Sequence, residues 1–167
     1  FAIAFHGAGR LLYPDYNAIQ YENPSIGWTR NTIAHSTLMV DEGDTRNTTP
    51  TAVRHDFTPE AKYLATSAVG VYEGVGQTRV LLLTREYLLD LFAATSAVPH
   101  TYDYLLHSFG QPRPVRLPPL EPTVALDRRF FLLDDKRAAA TDDAWALDFV
   151  VKDGSDRREG RFTDAWY

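Results

Sequence analysis

The stretch "NTIAHSTLMVDEGD", Asn31 to Asp44, sets one imidazole, His35, inside a run that otherwise reads as a half-buried β-strand. Twenty residues upstream, "YPD" ends on the carboxylate of Asp15. A carboxylate oxygen and an imidazole nitrogen are donor types that zinc accepts. Two donors fall short of the roughly three protein groups that a zinc site takes, so this chemistry needs His6 or a ligand from outside the chain. Each residue also has a plainer explanation. A single histidine on a strand ordinarily bonds a backbone carbonyl or faces solvent, and "YPDYN" is ordinary turn chemistry closing the strand "RLLY".

Other catalytic signatures are missing from the sequence. There is no GxGxxG or GxxxxGK[ST] phosphate cradle, no GxSxG elbow and no HExxH pair. The remaining histidines are His6, His55, His100 and His107. In "HTYDYLLHS" the last two stand seven apart, which on one strand points them to opposite faces, away from a shared metal. With no cysteine, disulfides and thiolate metal sites are excluded.

The elements that must position Asp15 and His35 are strands. "FAIAF" alternates with Phe1, Ile3 and Phe5 on one face, and "TIAHSTLMVD" alternates with Ile33, His35, Thr37 and Met39 on one side. "DEGD" reads as a hairpin turn. "VGVYEG", "TRVLLLT", "EYLLDLFAA", "YDYLLHS", "RRFFLLD" and "WALDFVVK" continue the pattern, and "DGSD" is a hairpin connector. Two segments carry helical features. "TPEAKYLATSA" opens with Thr58, Pro59 and Glu60, the residues of a helix start, and "REYLLDLFAA" could be amphipathic. Strands are favoured for both, because Val, Tyr and Thr dominate nearby and turns recur at short intervals. The five prolines of "QPRPVRLPPLEP", Gln111 to Pro122, remove amide donors and bar a central strand. A connection crossing a sheet edge is favoured there over an SH3-type ligand. The expected fold is all-β, a two-sheet antiparallel sandwich occupying residues 1–167 as one domain.

Bulk properties narrow the partners. The 167 residues include 44% hydrophobic and 13% aromatic side chains, enough for a buried core rather than a disordered chain. A net charge of −5 with scattered arginines argues against nucleic acid, which requires clustered cations. No apolar run approaches the ~20 residues of a membrane-spanning helix, so no membrane partner is expected. The strand-like opening without a methionine suggests an excised piece of a longer protein.

Three segments in order, "GRLLYPDYN", "YENPSIGWTRNT" and "IAHSTLMVDEGD", resemble the C-terminal β-sandwich of heparinase II/III-like polysaccharide lyases. Trp28, Arg30, Thr32, His35, Thr37, Val40 and Asp41 match the family's Trp-to-Asp motif; Ser36 departs from it where asparagine is usual. Further along, Arg79, Tyr87, Asp90, His100, Tyr102, Asp103, His107 and Gly110 follow a second family pattern. The likeness covers roughly residues 1–110, and the rest is generic β-structure.

This resemblance implies cleavage of a uronic-acid-containing polysaccharide, such as a heparin-like glycosaminoglycan or alginate, by β-elimination. It implies a zinc or other divalent ion held by Asp15 and His35, with a third ligand from an upstream histidine. It implies a catalytic tyrosine in the loop before the motif histidine, for which Tyr21 is the candidate, with Tyr16 behind it. Trp28 and Arg30 are the candidate substrate-binding residues, the guanidinium as partner of a substrate carboxylate. The partners implied are an anionic polysaccharide and a helical toroid domain of the same parent protein, without which this piece would be inactive. A periplasmic or secreted bacterial location goes with the family. The competing expectation is a non-catalytic carbohydrate-binding or scaffold module.

Overall fold

The computed structural model describes residues 1–15, 26–123 and 135–151. In chain order these hold β1 (Phe5–Gly7), β2 (Arg10–Tyr13), α1 (Ile26–Thr29), β3 (Leu38–Val40), β4 (Ala52–Phe57), β5 (Lys62–Tyr72) and β6 (Val75–Leu83). There follow β7 (Leu88–Ser96), β8 (Tyr102–Tyr104), β9 (Gln111–Arg116), β10 (Glu121–Pro122), β11 (Arg137–Ala138) and β12 (Ala146–Val150). The architecture is all-β and sandwich-like, built from several antiparallel sheets with none closed into a barrel. Among the described residues no helix is long and apolar enough to cross a membrane. The chain divides into two compact units, Phe1 with Leu38–Asp103, and Ala2–Thr37 with Tyr104–Tyr167.

The first unit is organised by the meander β4-β5-β6-β7. Its turns explain why the helical features of the sequence do not become helices. At "TPEA" the Thr58 hydroxyl accepts the Ala61 N–H at 3.1 Å while Thr58 N–H donates to the Ala61 carbonyl at 2.8 Å. Thr58, Pro59 and Glu60 thus cap a tight turn between β4 and β5. Thr84 does the same between β6 and β7, accepting the N–H groups of Glu86 and Tyr87. "EYLLDLFAA" is therefore strand β7, paired residue for residue with β6 from Val75↔Ser96 to Leu83↔Leu88. Gly70, at φ +83°, takes the left-handed conformation where the β5–β6 register slips between Val69 and Tyr72, as a bulge requires.

One face of this sheet is the unit's core. Val40, Ala68, Val71, Tyr72 and Val75 cluster there, with Phe1 and Ala94 against them. The same face carries Arg79, 2% exposed, whose Nε donates to Asp90 Oδ1 at 2.9 Å and whose Nη2 donates to Oδ2. Nη1 reaches the Phe1 carbonyl, and the guanidinium lies 5.1 Å over the Phe92 ring.

Two further expectations change on this fold. "FAIAF" does not run as one strand: Phe1 packs in the first unit's core, and pairing begins only at Phe5, opposite Tyr13. "TIAHSTLMVD" is likewise not a single strand. Thr32–Ala34 form a 3-10 turn, His35 is extended beyond it, and pairing is confined to β3. Ile33, Ala34, Ser36, Thr37, Leu38 and Met39 are all buried, so no solvent face exists to support the period-two pattern. "DEGD" does turn the chain, with Asp41 and Glu42 at φ +49° and +53° and Gly43 N–H donating to the Val40 carbonyl at 2.8 Å.

In the second unit β1 pairs with β2, β9 with β12, and β10 with β11. The proline-rich segment supplies β9, a strand of a two-stranded ribbon, where Pro112 and Pro114 stand opposite Phe149 and Leu147. A two-stranded ribbon has no central strand, which is how the missing amide donors are tolerated. Gly110 precedes β9 so closely packed that a Cβ there would meet Phe149 Cβ at 2.8 Å. The strands expected at "RRFFLLD" and the connector "DGSD" lie outside the described residues.

Candidate functional site

Asp15 and His35 come together in the second unit. The β1–β2 hairpin delivers Asp15 directly after Tyr13 and the buried Pro14, whose ring fixes the backbone at the strand's exit. His35 is presented by the segment 28–37, held at nearly every step. Asn31 N–H donates to the Trp28 carbonyl, Ala34 N–H to Asn31, His35 N–H to Thr32, and Leu105 N–H to Thr37, at 2.8 to 3.1 Å. The result is a 2.6 Å contact between His35 Nδ1 and Asp15 Oδ1, with the side chains 15% and 21% exposed. A carboxylate only accepts, so Nδ1–H is the donor and the lone pair of the neutral ring sits on Nε2.

The pair suits a divalent cation in donor chemistry but is incomplete in number. Two ligands of one tetrahedral zinc, each bonded at its usual length, stand about 3.3 Å apart. At 2.6 Å the two atoms are hydrogen-bonded, so an ion between them requires a widening of about 0.7 Å. Alternatively Nε2 is the ligand and Asp15 is the outer carboxylate that orients it. Among the described residues no third His, Cys, Asp or Glu joins them, and His6, exposed on β1, does not complete the set.

Behind the pair lies His107, buried at 4% exposure. Its Nε2–H donates to the Ile33 carbonyl at 2.8 Å, and its backbone N–H donates to Ser36 Oγ at 3.0 Å. Burial pulls the His107 ring below the usual histidine range, opposed by its bond to Ile33, with His35 nearby lowering it further and Asp15 raising it. The ring is therefore neutral at pH 7.

Trp28 closes this cluster, its ring edge-on to His107 at 6.3 Å and 87°. At 3% exposure it is part of the buried cluster beneath the site. Arg30, just after α1, is exposed. Tyr21 and Tyr16 lie outside the described residues.

A second carboxylate–imidazole pair, in the first unit, was not legible in the sequence. His100 Nδ1 meets Asp41 Oδ2 at 2.6 Å, and Asp41 Oδ1 accepts the Thr101 N–H at 2.9 Å. Asp41 N–H in turn donates to the Thr101 carbonyl at 3.0 Å. Asp41 thereby fastens the turn after β3 to the approach to β8. Its hydrogen bond from His100, joined by that from Thr101, holds the Asp41 carboxyl below its ordinary range. Asp103 is pushed the other way, by burial first and then by the charges of Glu42 and Asp41. Much of the second family-like pattern serves packing: Arg79 with Asp90 in the sheet, His100 with Asp41, and His107 beneath His35.

The sequence matches no protein-family model, and no curated protein aligns with it closely enough to count as a relative.

Proposed function

We propose that this chain is the β-structured part of a lyase that cleaves uronic-acid-containing polysaccharides by β-elimination, paired in its parent protein with a helical domain. The observation that carries the reading is the convergence of Asp15 and His35, twenty residues apart, at 2.6 Å. These are the two residues that the family resemblance singles out as metal ligands. When bound, a zinc ion would supply fixed positive charge beside an anionic sugar and tie the β2 exit to the segment of His35.

The reaction asks for three things. A base removes the C5 proton, the electron pair forms the C4–C5 double bond, and an acid protonates O4 as the glycosidic bond breaks. Tyr21 is assigned the proton transfer, and Arg30, exposed on the same segment as His35, is assigned to the uronate carboxylate, whose neutralisation makes the C5 proton acidic. A zinc-bearing secreted or periplasmic enzyme fits this assignment.

The test is product formation by the full-length parent on heparin-like and alginate polymers, followed by the ultraviolet absorbance of the unsaturated uronate. Tyr21→Phe is expected to lower the rate by about 10²–10⁴-fold. An unchanged rate in that variant removes Tyr21 from the chemistry. The second reading is a carbohydrate-binding or scaffold module, and the packing of Trp28 against His107 fits its scaffold form. Polymer binding by the parent without any unsaturated product would select it.

A further inference from the structure

We infer that His107 is a positioning residue for the Asp15–His35 pair, and the inference rests on reading that pair as a ligand site. Two bonds carry it. His107 grips the chain on both sides of His35, through the Ile33 carbonyl two residues before it and the Ser36 hydroxyl immediately after. The two grips come from different parts of His107. The side chain donates from Nε2 at 2.8 Å, and the backbone N–H donates at 3.0 Å. With Leu105 N–H on the Thr37 carbonyl at 2.8 Å, the segment leading into β9 brackets the whole extended stretch that carries His35.

Such a bracket matters because His35 is extended, at φ −122° and ψ 147°, just past a single 3-10 turn. No strand ladder holds it, since pairing starts only at Leu38. Besides its own N–H bond to the Thr32 carbonyl, the stretch around His35 is held at 33, 36 and 37, and His107 supplies two of those three restraints. Trp28 locks the His107 ring in turn, edge-on at 6.3 Å.

Two variants separate the side-chain bond from mere filling of space. His107→Gln places an amide N–H where Nε2–H stood and keeps the donor to Ile33; His107→Leu fills the volume without a donor. Zinc affinity of the full-length protein, measured by calorimetry, is expected to fall about 10- to 100-fold in His107→Leu. His107→Gln is expected to recover most of that loss. The second readout needs no metal: the downfield Nδ1–H proton resonance of His35, assigned by its disappearance in His35→Ala, should persist in His107→Gln and exchange-broaden in His107→Leu.

Wild-type zinc affinity and an unaltered His35 resonance in His107→Leu would overturn the inference. Should His107→Leu fail to fold, Ser36→Ala removes the other grip alone and must weaken the same resonance; an unchanged signal there also overturns it. If the wild-type protein binds no zinc, the metal reading fails, while the resonance still decides whether His107 positions His35.

Discussion

Removing Asp90 should cost the first unit more than any change at its surface. Arg79 is 2% exposed and Asp90 11%, and the two are joined through both guanidinium donors and both carboxylate oxygens across β6 and β7. Asp90→Ala removes the carboxylate that accepts from Nε and Nη2 while the guanidinium stays buried against the Phe1 carbonyl and the Phe92 ring. Breaking a buried pair from one side costs about 3–5 kcal/mol. For a chain of this size each kcal/mol moves the melting midpoint by about 2–4 °C, so a drop of about 6–20 °C is expected by far-ultraviolet circular dichroism. Removing both charges is a different perturbation. Arg79→Met with Asp90→Leu fills similar volume with apolar atoms and leaves no charge enclosed by this pair. The double variant is expected to recover most of the loss. A single-variant cost below about 1 kcal/mol, or a double variant no better than the single one, would refute the claim that an enclosed charge sets the magnitude.

Two other outcomes follow from polar groups in the first unit. Gln77 is buried with neither amide atom hydrogen-bonded, and each such group costs about 1–3 kcal/mol, so the near-isosteric Gln77→Met should raise the melting midpoint; a lowered midpoint would mean the amide is satisfied in solution. Asp103 has its carboxyl raised by burial, Glu42 and Asp41, so the folded state holds its proton more tightly than the unfolded one. Stability from this group is present at acid pH and lost as pH climbs through the raised value. Asp103→Asn should therefore gain on the wild type progressively in thermal melts as pH rises above the ordinary carboxylate range, and a difference constant with pH contradicts that sign.

The extent to which the sequence foretold this arrangement differs by element. Strands β5 to β7 are legible because Val, Leu, Tyr and Thr recur there between turn residues at short intervals, whereas β4 carries no such run and Thr58, with the look of a helix start, caps a turn. The stretch around His35 has the alternation of a strand without being one, because apolar alternation says nothing about burial on both faces, and Ser36 and Thr37 are buried along with Ile33. The Asp15–His35 partnership came from the family-like motif, and its 2.6 Å contact is a fact of tertiary structure. Asp41 with His100 lies 59 residues apart and carries no local signal at all. Nor does spacing foretell that Trp28 is buried edge-on against His107.

The proposed function requires the pair Asp15–His35 to act as a ligand set rather than only as a hydrogen bond that ties two loops together. The most direct measurement is the zinc content of the purified full-length parent and of its His35→Ala variant after dialysis against metal-free buffer. Stoichiometric zinc in the wild type and its loss in the variant is the predicted result. Zinc retained in full by His35→Ala would contradict it.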